Sequence, residues 1–440
     1  MIGIKGTGMS SLAVLLKKMD YKVTGSDTDE RFFTEIQLHQ NDISYHEGFH
    51  GENLQKEMPD LIITSTAYND RNPEISQAKL MRIPIISYPQ AVGEISRKLI
   101  SVAVCGSHGK TTTTSMLGVI METNHETVTL TGTVADGLNT KMDKPKFFVF
   151  EADEYQNKFQ YYLPANAIVT NIDFDHPDYF RDMQHYTETF QNFATKILSN
   201  DGCIIYNNDD LNTREIFKGL SGNMLSFGFN GGADYQITNV NDALDGFTLN
   251  FGSQKVADIK LRVYGRHNIM NATASFIMAL KLGIGKDKAV LALAAFNGVK
   301  RRMELIPSDN YIIIDDYGHH PTEIIATLKA LRNKYSDKHI TAVFHPHTFT
   351  RTKALLTDFG KSFGDVDLTL VLDIYPSARE ITGTIKTSEV VKEIEKNGSK
   401  AIHTPTIPDA EEYIKKNVPR GSVIITIGAG DVWKLCDLIK

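Results

Sequence analysis

The chain has 440 residues, of which 41% are hydrophobic and 23% charged, with 32 glycines and 14 prolines. This excludes a disordered, collagen-like or low-complexity chain, and at about 150 residues per domain the length implies about three domains. Lys and Arg number 47 against 53 Asp and Glu, a formal charge of −6, which argues against a general electrostatic nucleic-acid binder.

Cys105, Cys203 and Cys436 lie far apart and form no CxxC pair. Neither a disulfide framework nor a zinc site is expected, and a reducing compartment fits. No apolar run nears the ~20 residues a bilayer span requires. The opening MIGIKGTGM has no basic segment followed by a long apolar core, so no secretory leader is expected. These readings anticipate a soluble, cytoplasmic protein.

In chain order, GIKGTGMSS places Gly6 and Gly8 between a strand and a helix, with Asp27 about 20 residues on. Ser11 replaces the third glycine of the dinucleotide fingerprint, so the pattern supports a nucleotide or pyrophosphate at a helix N-terminus without saying which. A strand is expected at 61–65 (LIITS), and the first domain is drawn as 1–97.

The second domain, 98–307, opens on ISVAVCGSHGKTTTT. A β-branched strand at 100–105 ends in Gly106-Ser107-His108-Gly109-Lys110-Thr111, and a helix begins with the threonines. Glycines let backbone N–H groups close around a polyphosphate, and the helix N-terminus adds partial positive charge. Lys110 then reaches the β/γ-phosphates, and the Thr111 hydroxyl suits Mg²⁺. Val104 stands where a full Walker A loop has its first glycine, so this loop is shorter. The bland alternative is a strand-to-helix turn with an exposed lysine.

The next strand, 147–151 (FFVFE), ends on Glu151, where a doubly wound sheet collects its ligands. Another, at 167–171 (AIVTN), runs into NIDFDHPDYF with Asp175 and His176 at its tip. Mg²⁺ prefers oxygen ligands, so Glu151 and Thr111 are reasonable partners and His176 a less usual one. Each acidic residue alone reads as a solvated loop residue; their shared position after consecutive strands argues otherwise. Residues 224–264 alternate strands with GG and DG turns and are expected to form antiparallel hairpins inserted in this domain. The third domain, 308–440, repeats the α/β pattern with strands at 311–315, 340–344, 369–373 and 422–427.

With GSHGKTTTT, FEADE and NIDFDHPDYF in place, the sequence resembles the Mur ligases over essentially its whole length. Further motifs are GRHNIMNA at 265–272, FNGVKRRME at 296–304, IIIDDYGHHPTE at 312–323, FHPHTFTRT at 344–352, DIYPSARE at 373–380 and GAGD at 428–431. DDYGHHPTE followed by PHTFTRT is similar to the alanine-adding branch and its peptide-recycling cousin.

The resemblance implies a Rossmann-like N-terminal domain and a P-loop central ATPase domain with a parallel sheet and a small antiparallel insertion. A Rossmann-like C-terminal domain completes it. It implies ATP-dependent joining of L-alanine to the carboxylate of UDP-N-acetylmuramate, in peptidoglycan precursor synthesis. Mg²⁺ is the implied metal, with Mn²⁺ as a substitute, and the implied assembly is a monomer or weak homodimer. Gly6, Gly8, Met9, Ser10, Asp27, His50 and Ser65 would face the UDP-sugar. Gly106–Thr112 (Gly106, Ser107, His108, Gly109, Lys110, Thr111, Thr112) would hold the ATP phosphates. His267, Asn268 and Asn271 would lie at the adenine end, and Arg302 and Asp316 would reach ATP from the domain joint and the third domain. Thr111, Glu151 and His176 would serve the metal, and Tyr317, His319, His347 and Arg351 the amino acid. Lys110, Glu151, His176, Arg302, His319 and Arg351 would carry the catalysis.

The sequence departs from the family pattern at Lys5, His345 and Thr348, where many members have glycine, glutamine and arginine. The rival readings are the ligase that recycles a preformed tripeptide, an NAD(P)-dependent dehydrogenase built on the first motif, and a non-catalytic nucleotide-binding protein. The dehydrogenase leaves GSHGKTT unexplained.

Overall fold

A computed structural model describes residues 1–123, 127–131, 145–376 and 380–440. Part of the DIYPSARE motif (377–379) lies outside them. The N-terminal unit pairs β1 (Gly25–Asp27) with β2 (Tyr45–Glu47) and β3 (Ile62–Thr64) with β4 (Ile85–Ser87), all parallel. Ile2 bridges the two pairs by bonding alongside Ser26 and Thr64. The helix Thr7–Lys18 therefore begins at the point where the strand order reverses, the usual crevice of a doubly wound sheet.

The central sheet has nine strands in the order β13-β12-β11-β10-β9-β8-β5-β7-β6. These are β5 (Ile100–Cys105), β6 (Thr127–Leu130), β7 (Phe147–Glu151), β8 (Asn166–Val169), β9 (Cys203–Asn207), β10 (Asn223–Gly228), β11 (Tyr235–Thr238), β12 (Gly246–Phe251) and β13 (Gln254–Lys260). The ISVAVC and FFVFE runs show no polar alternation because helices cover both faces of the sheet. The antiparallel expectation holds for β11–β13. β10 differs: it pairs parallel to both β9 and β11, the helix Leu211–Lys218 carrying the chain back between β9 and β10. The hairpins thus extend the central sheet.

The third sheet has the order β14-β15-β19-β16-β17-β18. Its members are β14 (Glu304–Ile306), β15 (Ile312–Asp316), β16 (Ile340–Phe344), β17 (Leu368–Val371), β18 (Ala401–His403) and β19 (Val423–Ile427). All are parallel except β14, which precedes position 307 yet pairs antiparallel with β15.

Packing differs at the two joints. Met9, Leu12 and Leu15 of the first helix share one apolar cluster with Val128, Phe148, Phe159 and Tyr162 of the central unit. The joint between the central and third units is formed largely by polar side chains around a cavity of about 860 Å³. Among the described residues no helix is long and apolar enough to cross a membrane.

Candidate active site

The loop between β5 and the helix Lys110–Glu122 is held in shape by the segment after β8. Ser107 N–H donates to the Asn171 carbonyl (3.0 Å), His108 N–H to Asn171 Oδ1 (2.9 Å), and Thr170 Oγ1 donates to the His108 carbonyl (2.6 Å). Gly106 and Gly109 have φ of 127° and 80°. A Cβ at Gly106 would lie 2.2 Å from Thr170 Oγ1, and one at Gly109 2.6 Å from Asn271 Oδ1. Both glycines are needed for conformation and for space.

Lys110 Nζ donates to the Gly106 and Ser107 carbonyls (2.6 and 3.2 Å) and to Glu154 Oε2 (3.1 Å). Burial by itself would lower its pKa, but Glu154, Asp153 and Glu151 outweigh that and hold the ammonium protonated. Thr111 Oγ1 donates to Glu151 Oε2 at 2.9 Å. Glu154 is fully buried and also accepts from Tyr186 Oη (3.0 Å), which lies 2.8 Å from the Ser107 hydroxyl. His176, at φ 57°, gathers with Asp153 and Glu154, their ligand atoms within 4.8 Å of one another.

The helix Arg266–Lys281 brings His267, Asn268 and Asn271 to the cavity wall together with Thr112, Arg302 and Asp316. Asn271 accepts from Thr113 Oγ1 (3.1 Å), and Asn268 Nδ2 donates to the Tyr264 carbonyl (2.9 Å). Burial, then the Arg302 charge, lowers His267 to about 4, so the imidazole is neutral. Of the adjacent arginines, Arg301 is turned into the third unit, on Asp315 (3.0 Å) and the Gly428 carbonyl (2.8 Å). Arg302 lines the cavity, 3.6 Å from Glu323 and over the Tyr317 ring. Asp316 accepts from the Met303 and Gly318 N–H groups (2.8 and 2.7 Å), and burial pushes it up to about 6.

Arg351 crosses the joint, with Nε and Nη2 on Asp175 Oδ1 at 3.1 and 3.0 Å. Burial would raise Asp175, but His176 and Arg351 hold it well below the usual carboxylate range. His319 and His347 stack edge-on near Arg351, and burial followed by the Arg351 charge lowers them to about 3 and about 4. The arginine is therefore the cation of this group, between neutral imidazoles.

In the N-terminal unit, Gly6 precedes the first helix, and Asp27 Oδ2 and Oδ1 accept from Lys5 N–H (2.6 Å) and Tyr68 Oη (3.2 Å). Ser65 ends the adjacent strand, and His50, exposed, caps Gly51–Glu57. All stand at or beyond the C-terminal ends of the strands. Gly8 packs against Tyr88. Met9 and Ser10 point inward: Met9 joins the apolar core, and Ser10 Oγ accepts from Gln37 (2.6 Å). What these two offer outward is the backbone of the first helical turn. Lys5 is fully buried, its Nζ on the Thr28 and Glu30 carbonyls (3.0 Å each) and 3.2 Å from Glu35.

Glu154, Asp173, His320 and Glu323 have no role in the sequence reading, yet all lie in the site. Glu154 sits in the quoted FEADE run, three residues after Glu151, and its place in that short acidic run at a strand end was the available signal. Asp173 and Glu323 become neighbours only when the third unit folds onto the loop.

Fold and loop define the class: a three-unit α/β protein with a P-loop whose cavity is completed by another domain. Family models match residue spans 1–99 (Mur ligase family, catalytic domain), 104–279 (Mur ligase middle domain) and 301–430 (Mur ligase, glutamate ligase domain). The chain is 36% identical to the UDP-N-acetylmuramate–L-alanine ligase of Desulfitobacterium hafniense, over 99% of this chain and 97% of that one. It is 38% identical to the ligase of the same name from Acetivibrio thermocellus, over 99% and 94%. Among solved structures, the UDP-N-acetylmuramate–alanine ligase of Thermotoga maritima superposes with a TM-score of 0.83 at 26% identity, covering 100% of this chain and 97% of that one. A murein peptide ligase from Psychrobacter arcticus gives 0.74 at 27% identity, over 100% and 97%. The chain belongs to the Mur ligase family, whose members are ATP-dependent ligases.

Proposed function

We propose that this protein joins the amino group of L-alanine to the carboxylate of UDP-N-acetylmuramate, releasing ADP and phosphate. The observation that carries the reading is the joint itself: Thr111, bonded to Glu151, and Arg302 line one cavity, and Arg351 of the third unit reaches Asp175 of the central one. The full-length relatives of that name support it.

A carboxylate is a poor electrophile. Its oxygen attacks the γ-phosphorus of ATP, the bond to ADP breaks, and an acyl phosphate forms. Lys110 and Arg302 offset the charge on the transferring group. The alanine amine then attacks the acyl carbon, loses a proton, and phosphate leaves from the tetrahedral intermediate. Arg351 pairs with the alanine carboxylate, which requires that the substrate share or replace Asp175. The rings of Tyr317, His319 and His347, neighbours in series, would wall the alanine side chain. Rejecting one extra methylene is worth only ~1–3 kcal/mol, so serine and glycine should be discriminated modestly.

We place the UDP-sugar on the N-terminal unit, against the Gly6 and Gly8 loop, Asp27, His50 and Ser65. The donors at the loop fit a hard cation: the Thr111 hydroxyl on Glu151, with Asp153, Glu154 and His176 beside it. Mg²⁺ held there, or Mn²⁺ in its place, would neutralise phosphate charge. Such nucleotide-linked substrates support placing the reaction in the cytoplasm.

The test is phosphate release from Mg²⁺–ATP with UDP-N-acetylmuramate, comparing L-alanine with L-Ala-γ-D-Glu-meso-diaminopimelate. Release with alanine is the expected outcome, and release with the tripeptide only would move the assignment to recycling. Lys110→Ala should abolish release with its circular dichroism unchanged; retained turnover would overturn the loop assignment.

A further inference from the structure

His108, in the P-loop, does not point at the place of the phosphates alone. Its Nε2 is 3.0 Å from Asp173 Oδ2, and its Nδ1 is 3.4 Å from Glu323 of the third unit. His320, at the cap of the helix Pro321–Lys334, comes from the opposite side with Nδ1 3.5 Å from the same Asp173 oxygen. One nitrogen of each histidine and the carboxylate oxygen lie within 4.8 Å of one another. In a tetrahedral site with ligands ~2.0–2.1 Å from the ion, neighbouring ligand atoms stand about 3.3 Å apart, so the set is nearly in place before any ion enters.

Two further observations point to a metal. First, the ring nitrogen of His108 remote from Asp173 faces a carboxylate, the arrangement that orients metal-binding histidines. The Thr322 hydroxyl likewise donates to Asp173 Oδ2 at 2.6 Å and orients that oxygen. Second, His320 is 4% exposed, and its Nδ1 accepts a long 3.4 Å bond from Thr322 N–H as part of a capping box at the helix start. That bond places the ring proton on Nε2, which finds no partner among the described residues. A cation in the cluster would compete with the helix cap for the Nδ1 lone pair.

We infer that His108, Asp173 and His320 form a binding site for a borderline divalent cation of the Zn²⁺ class, bridging the P-loop and the third domain. Two imidazoles and one carboxylate suit Zn²⁺ better than Mg²⁺. The cation takes the place of the proton between His108 and Asp173, leaving His108 to donate through Nδ1 to Glu323. His108, Asp173, Thr322 and Glu323 line the cavity, which supplies the entry path. Ligands from two domains staple the joint closed, so an occupied site slows any cycle in which the joint must open.

The experiment uses the full chain, stripped of metal and free of nucleotide. Co²⁺ is titrated and its visible ligand-field bands followed, with Zn²⁺ as competitor. One equivalent with the intense bands of a low-coordinate ion is expected, any ion at the Asp153 cluster being six-coordinate and giving only weak bands. Asp173→Asn and His320→Ala should each weaken binding more than about 10-fold, and Glu323→Gln by about 10-fold. Asp153→Asn, in the other cluster, should leave the titration as it is. Absence of the bands overturns the proposal, as does binding that follows Asp153→Asn and ignores Asp173→Asn. If His320→Ala does not fold, Asp173→Asn decides. A second readout is phosphate release at saturating Mg²⁺–ATP with and without Zn²⁺. Zn²⁺ should slow the parent severalfold and Asp173→Asn far less; equal slowing places the inhibitory ion elsewhere.

Discussion

Lys110 is tethered to its own loop, and the residue that tethers it is itself tethered. Glu154 takes a hydrogen bond from Tyr186, whose hydroxyl also touches Ser107. Incoming phosphates must draw the ammonium away from the Gly106 and Ser107 carbonyls while Glu154 keeps its second donor. Tyr186→Phe removes that donor from a fully buried carboxylate, at a cost of about 1–3 kcal/mol. A lower melting temperature and a KM for ATP raised roughly 10-fold are expected; unchanged values of both would assign Tyr186 to packing alone. His108 makes a second residue-scale case, in the metal-free protein. Burial would lower it, but Asp173 and Glu323 raise it from 6.5 to about 9. A folded value above the unfolded one stabilises fully below about pH 6.5, and that stability is lost as the pH rises through about 9. The parent should lose up to about 3 kcal/mol across this window relative to His108→Asn in denaturant unfolding. Parallel profiles for the two proteins would refute it.

At the scale of elements, the helix Tyr88–Lys98 ties the first unit to the second. Gly93 faces the Tyr161 carbonyl, and a Cβ there would lie 2.3 Å from that oxygen. Backbone cannot swing aside as a side chain can, so Gly93→Ala should cost about 1–3 kcal/mol, read as an earlier urea midpoint with unchanged slope. Strands at 100–105, 147–151, 167–171, 311–315, 340–344, 369–373 and 422–427 were readable from sequence as dense apolar runs bounded by turns, ISVAVC and VIITI above all, while β6, β9, β14 and β18 were not singled out. Nor was β10 readable. NMLSFG has neither that density nor a clean alternation, and its direction depends on the short helix before it. The loop was legible as a phosphate binder because local glycine spacing fixes its conformation. Glu154, Asp173 and Glu323 were not legible, since their meaning comes from partners far along the chain. Arg301 and Arg302 show the same limit: adjacent and chemically identical, they are separated only by the φ of 59° at Arg301, which turns one inward and the other to the cavity.

For the whole molecule, the two joints divide the labour. The first and second units share an apolar core, while the second and third meet through Arg351 on Asp175, Thr322 on Asp173 and His108 on Glu323. Polar joints of this kind are the ones expected to move. Asp175→Asn removes the charge partner of the buried Arg351 and should favour the open arrangement. Small-angle scattering should then give a larger radius of gyration than the parent, and substrates should restore it. Equal radii without substrates would mean that the remaining contacts suffice. Lys5 adds rigidity in the first unit, because a buried ammonium with two carbonyl partners fixes the loop at Thr28 and Glu30.

The close approach of Gly109 to Asn271 also bears on how this family can be engineered. The P-loop and the helix Arg266–Lys281 are clasped through Thr113 on Asn271 and Ser275 on the Thr113 carbonyl. A loop grafted from a distant relative would therefore carry only half of its fit. Chimeras that exchange the loop and that helix together should tolerate the swap, and libraries that vary one while holding the other fixed will sample mostly dead sequences.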